Sequence, residues 1–192
     1  MSKSYSLLIL LIFCLGIDSK TFEGLYSVKI FPYSGSSEIY SYINNDTLMV
    51  EYETKVAFNT VKAKNRAKIL LEPLKVISIH SEYSKIGVKS TGYIIFEDSI
   101  IKTYMSDAKN KTKRYKADKQ PNDWLTLPFF LKLYGDEYYS CSMIHGDFDL
   151  QKKINAGAVE WTTDAGDLIV RFEDGVFTYL KAGKIEMKRV GR

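Results

Sequence analysis

The residues best suited to chemistry lie close together in the segment MIHGDFD, at positions 143–149. His145, Asp147 and Asp149 are residue types that bind metal ions. A histidine beside a carboxylate can also act as a general base with its orienting group. Their close spacing, however, matches no zinc or calcium loop signature, and the residues fall where a predicted strand meets a turn. We therefore expect neither a metal site nor a catalytic pair here.

Cys141 carries a thiol four residues before His145. Four residues of extended strand span about 13 Å, which is far beyond hydrogen-bond reach for a nucleophile and its base. A buried, inert cysteine on a strand is expected instead. His80, in VISIHSEY, lies on the strand face opposite Ile77 and Ile79 and is expected to be a surface or half-buried residue.

Motifs that identify common enzyme classes are missing from the sequence. It contains no G-x-S-x-G elbow, no H-E-x-x-H pair, no phosphate-binding loop and no dinucleotide-binding glycine run. The sequence therefore predicts a protein without catalytic residues and without a cofactor.

The amino terminus has the layout of a secretory signal peptide. One lysine precedes an unbroken apolar run at positions 7–15, followed by small and polar residues, and this run is too short for a membrane-spanning helix. Cleavage is predicted after Gly16 or Ser19, and we adopt Ser19. Residues 1–19 would then be the signal peptide and residues 20–192 a single domain. We expect a periplasmic or secreted protein with no transmembrane span after signal removal.

Positive charge is mild and mostly scattered. The formal net charge is +4, and loss of Lys3 and Asp18 with the signal peptide leaves it unchanged. Basic residues cluster only in KNKTKRYK, from Lys109 to Lys116. A patch for nucleic acid or anionic lipid is one interpretation. An exposed loop between strands is the interpretation we adopt, so no nucleic-acid partner is expected.

Alternating polar and apolar residues predict strands. In TLMVEYETKVAFNT, at positions 47–60, apolar residues hold most even positions and polar residues most odd ones, as in a long strand with one buried face. The first strand is expected to turn Phe22, Tyr26, Val28 and Ile30 to one side. Further along, the pair Asp174-Gly175 is typical of a tight hairpin turn.

Short turns link these segments without intervening helices, which indicates an all-β antiparallel meander of roughly ten strands. A sheet of this length must curl, split into layers or close, because a flat sheet would expose aggregation-prone edges. We predict a closed or half-closed barrel in a single domain, with one short helix as plug or lid.

That helix is predicted within NDWLTLPFFLKLYGDEYY, at positions 122–139. Thr126 is a plausible N-cap, Pro128 falls in the first turn, where its missing amide does no harm, and Gly135 is placed to end the helix. The helix should run from Leu127 to Tyr134. An earlier start would put the proline in the helix interior, at a cost of about 3 kcal/mol.

Both faces of this helix are apolar. Leu127, Phe130, Leu131 and Tyr134 share one face, and Phe129 and Leu133 lie on the other. Three interpretations remain open: a plug buried on both sides, a lid over an apolar cavity, or a contact with a membrane or partner protein.

The order of several segments resembles a family of uncharacterised bacterial periplasmic proteins known only as a domain of unknown function. More distantly, it resembles the half-barrel carriers and receptors that move lipoproteins across the periplasm. The segments that carry the resemblance are LLEPLKVIS from Leu70, GYIIFED from Gly92, NDWLTLPFFLKL from Asn122, and VEWTTDAGDLIVRF from Val159, with Trp161 and Asp164. The carriers hold acyl chains between a concave sheet and its helices, whereas only one helix is evident here.

These observations predict a non-catalytic protein that binds an apolar small molecule or envelope lipid. The residues expected to line the site are Trp124, Phe129, Phe130 and Leu133. The alternative is a structural or interaction module of the cell envelope that docks a partner protein.

Overall fold

The computed structural model describes residues 20–57, 60–85, 88–97, 99–106, 109–116 and 118–191. The predicted signal peptide, with both of its cleavage sites, lies outside these residues. One helix, α1 (Leu127–Leu133), occurs among them. The fifteen strands are β1 (Thr21–Ile30), β2 (Tyr33–Asn44), β3 (Thr47–Val56), β4 (Val61–Leu71), β5 (Leu74–Lys85), β6 (Val88–Glu97), β7 (Ile100–Met105), β8 (Lys111–Arg114), β9 (Gln120–Pro121), β10 (Tyr138–Met143), β11 (Gly146–Asn155), β12 (Ala158–Thr162), β13 (Leu168–Glu173), β14 (Val176–Ala182) and β15 (Ile185–Arg189).

All fifteen strands belong to one sheet, in the order β8-β7-β6-β5-β4-β3-β2-β1-β15-β14-β13-β12-β11-β10-β9. Neighbours are antiparallel except β9 and β10, which pair in parallel through two residue pairs. The all-β meander with one short helix is confirmed. The estimate of about ten strands was too low, because several hairpins have only short connections. The sheet is not closed, since β8 and β9 form its two edges, so the closed form of the predicted barrel is wrong.

Strand β3 shows the predicted alternation. Val50, Tyr52 and Val56 are buried on the inner face, while Lys55 is exposed on the outer face. Glu51 is an outward-facing exception that is also buried, because Lys20 (2.7 Å) and Arg66 (3.4 Å) cover its carboxylate. Positions 58 and 59, which the alternation also included, lie outside the described residues.

Strand β1 departs from the predicted alternation near its amino-terminal end. Tyr26 and Val28 point into the core as expected. The register against β2 shifts between Phe22 and Gly24, however, and such a bulge reverses the side to which the preceding residues point. Phe22 therefore lies outside, 56% exposed, with its ring centroid 5.4 Å from that of Tyr40. Its predicted place on the same side as Tyr26 and Val28 is wrong.

The turn between β13 and β14 is formed by Asp174 and Gly175 alone. Both have positive φ, 50° and 73°, as a tight hairpin turn requires.

The basic segment from Lys109 to Lys116 is not simply a loop. Residues Lys111–Arg114 form β8 and pair with β7, so the predicted exposed loop is corrected to an edge strand.

The core is one continuous cluster inside the curled sheet. Its largest fully buried side chains come from strands far apart in the sheet order and from α1, and include Trp161, Tyr26, Tyr52, Tyr139 and Phe130. Inward-facing residues of both halves of the sheet thus share a single interior with the helix.

The two edges of the sheet approach each other along a gap, which we call the seam, between β8 and the β9–β10 pair. Residues 115–119 connect β8 to β9, so the facing edges are held within roughly 20 Å. The Lys113 side chain bridges the seam: its Nζ lies 2.7 Å from the carbonyl oxygen of Met143 and 2.6 Å from Asp147 Oδ1. Lys113 therefore links edges that no backbone ladder joins among the described residues.

Candidate functional site

Helix α1 begins where the sequence predicts. Thr126 occupies the N-cap position and Pro128 lies in the first turn. The Thr126 side chain makes no capping bond, and the helix ends at Leu133 because Tyr134 adopts an extended conformation (ψ 127°). Gly135, which was expected to end the helix, follows the C-cap residue Tyr134 and does not have a positive φ.

A buried polar network holds the segment that precedes α1. Asn122 accepts hydrogen bonds through Oδ1 from the Asp123 amide (2.8 Å) and the Thr126 hydroxyl (2.6 Å). Its Nδ2 donates to the Tyr139 hydroxyl at 2.8 Å. From the opposite side, the Tyr52 hydroxyl donates to the carbonyl oxygen of Leu125. The entry to the helix is thereby tied both to β10 and to β3.

Asp123 is the one carboxyl group in this network. It is 4% exposed, and burial raises its pKa to about 6, although the hydrogen bond from the Leu125 amide acts in the opposite direction. The cause is the loss of hydration, which disfavours the charged form. A titratable group is therefore built into the base of the helix.

The first predicted face of α1 is buried from Leu127 to Leu131, and the second face is buried at Phe129 but not at Leu133. Leu127, Phe130 and Leu131 are at most 3% exposed, and Phe129, on the other face, is 6% exposed. Phe129 meets the ring of Tyr52 edge-on at 6.4 Å. Phe130 packs against Tyr139 at 5.1 Å. The helix thus fills the interior with side chains from both of its faces.

The four predicted ligand-binding residues lie in different environments. Phe129 and Phe130 belong to the core, and Trp124 is half-buried against it. Leu133 is 49% exposed and is the bare part of the helix. Of the four, only Phe130 lines the cleft described next.

A cleft of about 470 Å³ opens at the seam beside Phe130. It lies between the start of β5, the segment before β9 and the helix. Its apolar wall consists of Pro73, Leu74, Val76, Pro121 and Phe130, and its remaining lining residues are Lys75, Ser99, Tyr115, Lys119 and Gln120. The ammonium of Lys119 is paired with Asp149. The arrangement is a mainly apolar recess with polar groups at its margin, as in many small-molecule sites.

The sequence did not single out the cleft residues other than Phe130. They come from positions 73–76, 99, 115 and 119–121, and only the curling of the sheet brings these segments together. One weak signal was present, since both LLEPLKVIS and NDWLTLPFFLKL contribute to the cleft.

The two aspartates of the segment MIHGDFD are held by hydrogen bonds, and its histidine is exposed. His145 is exposed in the turn between β10 and β11. Asp147 is held by Lys113 and Ser142, whose hydrogen bonds lower its pKa. Asp149 is held by Lys119 and Ser140, which lower its pKa to about 2. No group of three metal-ligating side chains occurs among the described residues.

Cys141 is fully buried on β10, as predicted. Burial raises the pKa of its thiol to about 12. Because the thiolate is the reactive form, this cysteine is inert at neutral pH. His80 faces outward, half-buried, and stacks on Tyr93 with ring centroids 4.5 Å apart, in agreement with its predicted position.

Within the part of the chain that the structure describes, no helix is both long enough and apolar enough to cross a membrane. Comparison with protein-family models, with curated proteins and with solved structures finds no match to this chain.

Proposed function

We propose that this chain is an exported, non-catalytic protein that binds an apolar small molecule or an envelope lipid in the cleft beside Phe130. The observation that carries the proposal is the cleft itself. Its volume of about 470 Å³ lies within the range of small-molecule sites, which are mostly apolar with a few polar groups. The likeness to periplasmic half-barrel carriers stays a prediction.

Several features support an amphipathic ligand. Pro73, Leu74 and Pro121 offer partly exposed apolar surface at the cleft, and burying an acyl chain there would gain roughly 0.8 kcal/mol for each methylene group. Lys75 and Gln120 are also lining residues, and their polar groups could contact the polar end of such a molecule, whereas Lys119 is already paired with Asp149. An acyl chain against the apolar wall with its head group at the margin fits this distribution.

The experiment is titration of purified protein, residues 20–192, with a fluorescent fatty acid. Leu74→Asp is expected to weaken binding at least tenfold, because it places a charge against the acyl chain. Ile154→Asp, at a 67% exposed apolar position on β11, is the matched control and should bind as wild type. Leu133→Asp tests the bare flank of the helix. No uptake by folded wild-type protein, or equal affinity of the Leu74 and Ile154 variants, would contradict the proposal.

A structural or interaction module of the cell envelope is the second candidate. The observation in its favour is a row of outward-facing residues on β6 and β7: Tyr93 (48% exposed), Tyr104 (41%) and Ile95 (36%). Tyr93 and Tyr104 are directly paired across the two strands, and exposed tyrosines of this kind are enriched at interfaces. This candidate predicts that Tyr93→Asp abolishes a stable complex in a pull-down while leaving fatty-acid uptake unchanged.

A further inference from the structure

A second groove crosses the outer face of the sheet, away from the cleft at the seam. It has a volume of about 390 Å³ and is formed by β3, β4, β5 and β6 near one end of these strands. Its most notable members are four lysines, Lys55, Lys62, Lys64 and Lys89.

The register of the sheet brings three of these lysines into one row. Lys55 pairs directly with Lys62, Lys62 with Ser84, and Ser84 with Lys89. Residues paired in this way point to the same face of the sheet. Lys55 and Lys62 are therefore direct neighbours within the groove. Only Ser84 lies between Lys62 and Lys89.

The carboxylates of the groove do not neutralise this row. Glu53 is paired with Lys64 at 2.9 Å, and Glu82 with Arg66 at 3.4 Å. Among the described residues, Lys55, Lys62 and Lys89 form no ion pair. Three lysines without an ion pair among the described residues thus meet in a recess that holds four lysines and two glutamates.

Like charges directly opposite each other on neighbouring strands destabilise a sheet. The pair Lys55–Lys62 therefore costs stability that a bound anion would restore. A phosphate monoester carries a charge of about −1.5 to −2 near neutral pH, so two such groups approximately neutralise three ammonium groups, whereas lipid phosphodiesters, with one charge each, would do so as a group of three.

We propose that this groove is a binding site for an anion that carries at least two phosphate groups. Lys55, Lys62 and Lys89 contact the phosphates, and Ser84 donates a hydrogen bond between them. The phosphates belong either to a free polyphosphate or to the head groups of an anionic lipid surface. The site is separate from the cleft beside Phe130, and the proposal does not depend on the function assigned to that cleft.

The test uses residues 20–192 with two probes in low-salt buffer: pyrophosphate, followed by calorimetry, and phosphatidylglycerol vesicles, followed by cosedimentation with phosphatidylcholine vesicles as reference. Lys62→Gln is expected to weaken binding roughly tenfold, the loss of one strong charge-assisted contact. Lys68→Gln is the matched control. Lys68 is exposed on the same strand and face, six residues or roughly 20 Å away, and it forms no ion pair among the described residues.

A free polyphosphate would be supported if the protein binds pyrophosphate and if Lys62→Gln weakens this binding while Lys68→Gln does not. The same pattern with phosphatidylglycerol vesicles alone would support a lipid head group. Without ligand, Lys62→Gln should also raise the melting temperature relative to Lys68→Gln, because it removes the repulsion from Lys55. No binding of either probe, or equal losses in the two variants, would overturn the proposal. Leu74→Asp should bind pyrophosphate as wild type, which separates this site from the cleft.

Discussion

The ammonium of Lys113 on β8 lies 2.6 Å from the carboxylate of Asp147 on β11. These residues are 34 positions apart in the chain and belong to strands from the two edge regions of the same sheet. They bridge the seam, which no backbone pairing of the described residues closes. The Lys113–Asp147 pair therefore adds a side-chain link between the two edge regions, whose inward-facing residues also share one core.

Removing one charge of the bridge should loosen β8. A double-mutant cycle with Lys113→Met and Asp147→Asn is expected to give a coupling free energy of about 0.5–1 kcal/mol, the usual range for partly exposed pairs. The coupling should fall as salt is added, because ions screen exposed charges. Denaturant unfolding at low and high salt measures it. A coupling near zero at low salt would mean that the seam is held by packing alone.

Stability should rise as the solution is made mildly acidic, because Asp123 titrates. Burial raises its folded pKa to about 6, whereas the unfolded value is about 3.9. Between these values the folded state binds more protons, so the free energy of unfolding increases as pH falls from 7 to 4, by about 2 kcal/mol from this group. Urea unfolding across this range measures the effect.

Asp123→Asn should remove that gain and make the protein more stable than wild type at pH 8. Asp164→Asn, at an exposed turn residue, is the control and should retain the wild-type profile. Below pH 4 the direction reverses, because Asp147 and Asp149 have lowered pKa values and their contribution is lost as they become protonated. Identical pH profiles for wild type and Asp123→Asn would refute the assignment.

The hydroxyl of Tyr52 should stabilise the start of α1. Tyr52→Phe keeps the buried ring but leaves the Leu125 carbonyl without its donor, and an unpaired buried polar group costs about 1–3 kcal/mol. Tyr40→Phe is the comparison, since it removes a hydroxyl that bonds a side chain on the outer face. Hydrogen exchange should be faster in α1 of the Tyr52 variant alone. Equal exchange in both variants would argue against this role.

Substitutions on α1 separate a plug from a lid. Phe129→Asp should unfold the protein, because the residue is 6% exposed and packs on Tyr52, and an unpaired charge there is not tolerated. Leu133→Asp should change the free energy of unfolding by less than about 1 kcal/mol, since half of that side chain is in water. Circular dichroism during thermal unfolding measures the stability of both variants. A folded Phe129→Asp protein would mean that this face of the helix is not core.

Only features that depend on short stretches of sequence could be predicted at the site. Thr126 and Pro128 marked the start of α1 correctly, because helix entry depends on a few adjacent residues. The apolar character of both helix faces predicted a helix in contact on both sides, and this holds at Phe129 and Phe130 but not at Leu133, which is 49% exposed. The cleft was out of reach, since Leu74, Tyr115 and Pro121 are brought to Phe130 only by the curl of a fifteen-stranded sheet.

By itself, the sequence determined the β-rich meander, the two-residue turn at Asp174-Gly175 and the position of the helix, because a period of two and turn chemistry are properties of short segments. Tertiary structure alone decided that Phe22 points outward, that Lys113 meets Asp147 and that Lys55, Lys62 and Lys89 share a groove. The physical reason is register. Alternation fixes which residues of one strand share a face, whereas bulges and strand pairing fix which residues of different strands meet.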